Sequence, residues 1–314
     1  MIAFLVRRAI GLVVTLFVAS FAVFGALYLA PGDPLSFMLG GRSVTPEVVA
    51  SLRDQYALDE PFPTRYWDWL TGLLHGDLGE SLVFHQDVGT LLGPRAATTL
   101  WLTVYASLVI VVVGLALGIV AALRGGRTDT SILVATTVGV AVPSFVAAIL
   151  LIAVFGVWLG WFPVFGSGQG FTDRLHHLTL PALALAASAS ALITRITRTS
   201  LRVELDSEHV QTAISRGIPR RKVFTRHVLR NGLMPIATAA GLVVVSLAAG
   251  AVVVDRAFAL NGLGSLLVTS VQSHDFAVVQ AIALLLVVVV VLVNTLVDVL
   301  YVVIDPRIRK GGRA

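Results

Sequence analysis

Apolar positions follow two patterns along this chain, and the patterns separate its elements. Six runs are apolar almost without a break: Ala9–Ala30, Thr98–Leu123, Ser131–Trp158, Leu178–Thr194, Leu233–Val254 and Phe276–Ile304. A hydrocarbon layer about 30 Å thick is crossed by roughly 20 apolar residues in a helix. Inside it every backbone N–H and C=O must pair within its own segment. Each run therefore predicts a transmembrane helix. An ionised side chain at mid-helix costs about 2.5–3.5 kcal/mol on insertion, and the runs are free of charge except for Asp298 near the end of the last. Arg7 and Arg8 before the first run could mark a cleaved signal. That run is longer than the usual signal core of roughly 7–15 residues, which favours an uncleaved span.

Between the runs the apolar residues become periodic. In "RYWDWLTGLLHGDLGESL", Tyr66, Trp69, Leu70 and Leu73 recur at i, i+3, i+4 and i+7, the signature of an amphipathic helix. Such a helix either anchors at the lipid headgroups or caps the outer mouth of a pathway. Upstream, "TPEVVASLRDQYAL" predicts another helix, with Thr45 as N-cap and Pro46 at its first position.

Composition agrees with a life in lipid. The 314 residues are 56% hydrophobic and 13% charged, with a mean hydropathy of +0.88; a soluble domain carries about 25% charged residues. There is no cysteine, which excludes disulfides, thiolate metal sites and cysteine nucleophiles. The net charge of +5 does not indicate nucleic acid, because no soluble domain remains to bind it. It reports topology instead. With the N-terminus inside, 17 of the 23 basic residues fall on cytoplasmic segments, as the positive-inside rule requires. The expected plan is a first span with cytoplasmic N-terminus (1–30), an extracytoplasmic segment with amphipathic helices (31–97), a five-helix core (98–305) holding a cytoplasmic loop (199–232), and a cytoplasmic tail (306–314).

That loop contains "SEHVQTAISRGIPRRKVFTRHVLRN". Asp206 or Ser207 can cap a helix in which Val210, Ala213, Ile214 and Ile218 share one side. Gly217 suits a left-handed stop, and Pro219 starts the next element without extending the first backwards. A second helix is expected from Arg220 to Asn231. The hairpin is too short to cross a membrane and too apolar to hang free in water. A lipid surface and a groove on a partner protein both remain open to it on physical grounds.

The segment "EHVQTAISRGIPRRKVFTRHVLRNGLMP" resembles the cytoplasmic loop by which permeases of ATP-binding-cassette (ABC) importers engage their ATPase, in the form found in the dipeptide/oligopeptide branch. "YLAPGDP", "GDLGES", "LGWFPVFG", "LPALALA", "ITRITRTSL" and "NTLVDVLYVVIDPRIR" match the same branch in order along nearly the whole chain. The resemblance implies an all-α integral membrane protein with six transmembrane helices and the architecture of a type I ABC-importer permease. The long outer segment suggests the B-type member of a permease pair. Implied partners are a second, C-type permease, one or two cytoplasmic ATPase subunits using ATP and Mg, an extracytoplasmic substrate-binding protein and the cell-membrane bilayer. Implied cargo is di- or oligopeptide, with nickel complexes, glutathione and haem-related molecules also known in the family.

The residues that would engage the ATPase are Val210, Gln211, Thr212, Ala213, Ile214, Arg216, Gly217, Ile218 and Pro219. In our reading Val210, Ala213, Ile214 and Ile218 fill a cleft on the ATPase, with Arg216 at its rim. Gln211 stands where the family has a glutamate, which removes any role needing a carboxylate there. Ser188 and Ser190 in the small-residue fourth run, and Asn294 in the last, are candidates for the pathway; small residues also serve close helix packing. Asp255, Arg256 and Asp275 mark the outer mouth, where a binding protein would dock.

Neither lysine, Lys222 or Lys310, ends a Gly-rich phosphate loop, so ATP hydrolysis is expected on another polypeptide and no cofactor on this one. A secondary transporter is the first rival, but it would place charge or broken helices near the midplane. An intramembrane enzyme is the second. Ser167 lies in a loop beside His176 and His177, which point apart on a helix, so no Ser–His pair at bilayer depth is expected.

Overall fold

The computed structural model describes residues 2–28, 46, 50, 59–81 and 83–304, with side chains for all of these except 2–9, 27–28, 248–249 and 297–304. Apart from Pro46 and Ala50, the helix expected after Thr45 lies outside the described residues, as do the tail and the side chain of Asp298. In chain order the elements are α1 (Ile2–Tyr28), α2 (Phe62–Leu74), β1 (Glu80–Ser81), β2 (Gln86–Asp87), α3 (Val88–Arg124), α4 (Gly126–Ala141) and α5 (Ser144–Leu151). After α5 a π-helical stretch runs over Ile152–Trp158. Then come α6 (Gly170–Leu205), α7 (Glu208–Ser215), α8 (Arg220–Val223), a second π-helical stretch (Phe224–Val228), α9 (Leu229–Ala257), α10 (Leu263–Gln272) and α11 (Phe276–Ile304).

Among the described residues, four helical segments are long and apolar enough to cross a membrane: α3, α6, Arg220–Leu247 and Phe276–Leu296. In α1 the residues with described side chains, Ile10–Ala26, form an apolar helix. The run Ser131–Trp158, expected as one continuous span, is instead broken, with α4 and the segment Ser144–Trp158 meeting at 99°. Pro143 is the cause. Its ring disfavours helical backbone at the residue before it, and Val142 is accordingly extended at φ −85°, ψ 115°. The helix expected to end at Asn231 also departs from expectation. It passes through the π-helical stretch and continues into α9, so the second arm of the hairpin is the root of a span.

The described residues form two compact units. In the larger, Thr98–Asn261 with the chain from Leu292, α6 is the central helix. Leu178, Leu180, Leu185 and Ile193 on α6 are buried against Leu102 and Ile110 of α3, and Val243, Leu247 and Val254 of α9. Two glycines let α3 come close. A Cβ at Gly114 would lie 2.6 Å from Ile193 Cβ, and one at Gly118 would lie 2.5 Å from Thr197 Cβ. This is the small-residue packing that draws helices together in lipid, where dispersion rather than water exclusion supplies the attraction. On the far side of α3, Leu100, Val104, Leu108 and Val112 form an exposed apolar stripe at steps of four. In a bilayer that stripe costs nothing.

In the smaller unit, residues up to Ala97 with Gly262–Val291, α2 packs along α1 through aromatic rings. Tyr66 is 5.3 Å from Phe21 and 5.6 Å from Phe24 between ring centroids, and its hydroxyl shares a 2.9 Å hydrogen bond with Ser20. Tyr66, Trp69, Leu70 and Leu73 are the sheltered face of α2 while Trp67, Asp68 and Leu74 are exposed, as their spacing predicts. Elsewhere in the same unit Val88, Leu91 and Leu92 of α3 join Leu263, Leu266, Val278 and Ile282 in a second core. The hairpin β1–β2 pairs Glu80 with Asp87 and Ser81 with Gln86.

Candidate functional site

Helix α7 is built to end abruptly. Ser207 takes the N-cap position with extended backbone (ψ 146°), and its hydroxyl donates to Glu204 O at 2.6 Å rather than closing the cap. At the other end Gly217 is left-handed at φ +75°. Its N–H donates to Ile214 O (2.9 Å) and the N–H of Ile218 donates to Ala213 O (3.2 Å). These two bonds make a Schellman stop. Pro219 then begins α8, accepting from the N–H groups of Lys222 (2.8 Å) and Val223 (3.0 Å).

The apolar side of α7 faces this chain, not outward. Val210 (0% exposed) and Ala213 (6%) pack with Ala122 of α3, Leu201 of α6, and Val223 and Val228, and Ile218 packs partly against the same cluster. Val210 and Ala213 therefore cannot fill a cleft on another protein, which corrects the sequence-based placement. Burying a valine removes about 1.5–3 kcal/mol worth of apolar surface from water, and the intramolecular seat claims it first. The outward face carries Gln211, Thr212, Ile214, Ser215 and Arg216. Ile214 is 40% exposed, a large apolar side chain presented between polar neighbours.

Polar contacts brace the seat. Gln211 Nε2 donates to Leu205 O at 3.0 Å, so the amide found in place of a glutamate supplies a donor that a carboxylate could not. Glu204 Oε1 meets His209 Nε2 at 2.8 Å and accepts from Asn231 Nδ2 at 2.7 Å. One carboxylate thus joins α6, α7 and α9. A second cluster lies beside it. Asp129 near the start of α4 receives both Arg198 and Arg202 from α6; Arg198 Nη2 stands 2.6 Å from Oδ2, its Nε donates to Oδ1, and Arg202 Nη2 is 2.8 Å from Oδ2.

The other candidates from the sequence separate. Ser190 is buried and Ser188 half-buried on α6, within a helix packed by small residues, while Asn294 is exposed on α11. Asp255 is 3% exposed and Asp275 0%, whereas Arg256 is exposed. Buried carboxylates offer no charge to a docking protein, so of these three Arg256 alone suits that role. Asp275 is engaged internally. Its Oδ2 accepts from the Ser81 hydroxyl at 2.5 Å, which in turn accepts from Phe84 N at 2.9 Å. Ser81 closes "GDLGES", so that motif ends in a tie to the turn before α11. His176 Nε2 lies 2.9 Å from Trp161 O, and His177 Nδ1 is 3.2 Å from Asp173 Oδ1, which gives each histidine a local structural partner. Sequence reasoning missed Glu204, Asp129, Arg198 and Arg202. The signal was available for the arginines, which stand four apart and so share a helix face. Their acidic partner, 69 residues from Arg198, was not legible from spacing.

Three comparisons bear on this arrangement. Residues 114–310 match the family described as "Binding-protein-dependent transport system inner membrane component", and residues 1–88 match its separate N-terminal family. The chain is 37% identical over 310 residues, 98% of its own length and 99% of the relative's, to the glutathione transport system permease protein GsiC of Pectobacterium atrosepticum. The protein of that name from Escherichia coli K12 is 36% identical over the same coverage. Among solved structures, an inward-facing form of the MetNI methionine ABC transporter superposes with a TM-score of 0.58 at 17% identity, covering 68% of this chain and 96% of that one. At that identity the likeness concerns the fold, which is that of a type I importer permease. A largely helical membrane chain with a short, sharply stopped helix seated on the ends of its spans, matching this family over most of its length, is a permease subunit of an ABC importer and belongs to the dipeptide/oligopeptide-type branch of the binding-protein-dependent inner-membrane components.

Proposed function

We propose that this chain forms half of a translocation pathway with a second permease and takes its drive from a separate cytoplasmic ATPase seated on the outward face of α7. The N- and C-termini lie in the cytoplasm, as the charge distribution favours. The chain itself binds no cofactor; ATP and Mg belong to the ATPase. An extracytoplasmic binding protein delivers cargo to the opposite side, where Arg256 is exposed. The cargo class is a small peptide such as glutathione, on the strength of the relatives that match at 36–37% over nearly full length.

One observation carries the coupling role. Val210 and Ala213 bolt α7 to its own chain while Ile214 and Arg216 point away, so a push on the outer face reaches α3 and α6 without slack. Interfaces switch between packed arrangements instead of deforming continuously, and a loosely held helix would absorb the motion. The decisive experiment is Ile214→Asp in the reconstituted complex. Docking predicts that the ATPase dissociates more readily and uptake falls by about tenfold or more, the scale of a buried apolar contact turned charged. Normal assembly and normal uptake in Ile214→Asp would remove the proposal. Because the chain has no cysteine, Ile214→Cys provides a direct companion test, with a crosslink to the ATPase expected. ATP-driven uptake of glutathione, measured against uptake of dipeptides in the same vesicles, tests the cargo.

A further inference from the structure

We propose that Asp129 is a positioning residue that makes the start of α4 and the ends of α3 and α6 move as one block with α7. This rests on the reading that α7 receives the ATPase. Arg198 grips the Asp129 carboxylate with two nitrogens, and Arg202 reaches the same carboxylate and also donates to Ala121 O on α3 at 3.2 Å. Three helices thus meet at one anion that is only 7% exposed. A buried carboxylate holds its place only while paired, and removing one partner leaves an uncompensated charge.

The link to α7 is one of neighbouring residues. Leu201, next to Arg202, and Ala122, next to Ala121, both line the apolar seat of Val210 and Ala213. Consecutive residues therefore serve both: on α6 the Leu201 side chain lines the seat and the Arg202 side chain joins the ion cluster, and on α3 the Ala122 side chain lines the seat while the Ala121 carbonyl accepts from Arg202. α3 and α6 are already locked by the approaches at Gly114 and Gly118. The start of α4 is different, because it joins α3 through Gly125, whose backbone is left-handed at φ +60°, a turn that fixes no direction of push. The far half of α4 meets α6 where a Cβ at Gly139 would lie 2.7 Å from Ala187 O and where Arg195 Nη2 donates to Thr137 Oγ1 at 2.8 Å; at the start of α4 the ion cluster makes the tie. Through it the broken span that begins with α4 follows the rest.

The test uses the cysteine-free complex, assembled with its ATPases, and spin labels at Thr130→Cys on α4 and Val203→Cys at the end of α6, both exposed and neither on the outward face of α7. In the wild-type background the distance between labels stays the same with and without trapped ATP. In Asp129→Asn it matches wild type without nucleotide and shifts by about 2 Å or more once ATP is trapped, the size of helix displacements in such transitions. Asp129→Glu, which keeps the charge pair, restores the invariant distance. If Asp129→Asn does not assemble, the double variant Arg198→Gln/Arg202→Gln decides by the same measure, since it removes both grips on the carboxylate. The proposal is overturned if the variant's distance is unchanged by ATP. It is equally overturned if the variant's distance is altered alike in both states, which marks a static packing role, or if the wild-type distance itself changes. Failure of the docking reading would appear elsewhere, as an Ile214→Cys protein with Asp129 intact that gives no crosslink to the ATPase.

Discussion

Single positions decide how α7 stops and how closely α3 approaches α6. Gly217 holds φ +75° with nothing within 4 Å of where a Cβ would sit. The penalty for a side chain there is purely conformational, about 1–2 kcal/mol for most residues. Gly217→Ala is therefore expected to lower the melting temperature of the purified complex and loosen ATPase attachment, with Gly217→Asn milder because asparagine tolerates the left-handed region. Gly118 presents the opposite case. Its backbone is ordinary helix, but a side chain would collide with Thr197. Gly118→Leu should cost at least the roughly 1–3 kcal/mol of an overpacked contact. Gly93→Ala, with open space around it, should be neutral or slightly stabilising, by up to about 1 kcal/mol. Thermal denaturation in detergent compares the three; equal effects at positions 93 and 118 would contradict the packing described.

At the scale of elements, periodicity read the faces correctly but not always their occupants. The spacing in α2 identified its sheltered side, and the partner proved to be the aromatic edge of α1. In α7 the same reasoning found the apolar side, and the inference that it faces another protein was wrong. A stripe of Val210, Ala213 and Ile218 records that something apolar lies opposite. It does not say which chain supplies it. Leu201 and Ala122 do, and nothing local to "EHVQTAIS" contains them. The second arm shows a related limit. Val223, Phe224, His227 and Val228 on one face predicted a separate helix ending at Asn231, yet helical hydrogen bonding ran on through Leu229 because no proline or left-handed glycine interrupts it there; Pro235 lies further on, inside α9.

For the whole molecule, the charge pattern and the fold lead to a labelling experiment. Cysteines placed singly at Arg256 and Ile214, both exposed, are expected on opposite sides of the membrane. In cells making the permease without its ATPase, Arg256→Cys should react with a membrane-impermeant maleimide while the cells are intact, and Ile214→Cys only after permeabilisation. The reverse pattern would invert the topology and with it the side on which the ATPase docks. The buried pair Ser81 and Asp275 fits the same picture, since a carboxylate that is 0% exposed belongs to the protein's own framework.

Hydropathy alone was enough to establish that this chain lives in lipid, because the cost of burying a charge or an unpaired peptide group in hydrocarbon is large and local to each segment. The left-handed stop at Gly217 was equally legible, since only the two adjoining peptide groups and the absent Cβ enter it. Long-range pairings were not. The Asp129 clamp on Arg198 and Arg202, the Ser81–Asp275 tie and the inward turn of Val210 each depend on residues brought together across tens to hundreds of positions. Folding chooses among many partners of equivalent chemistry by geometry, and geometry of that reach exists only once the helices have packed.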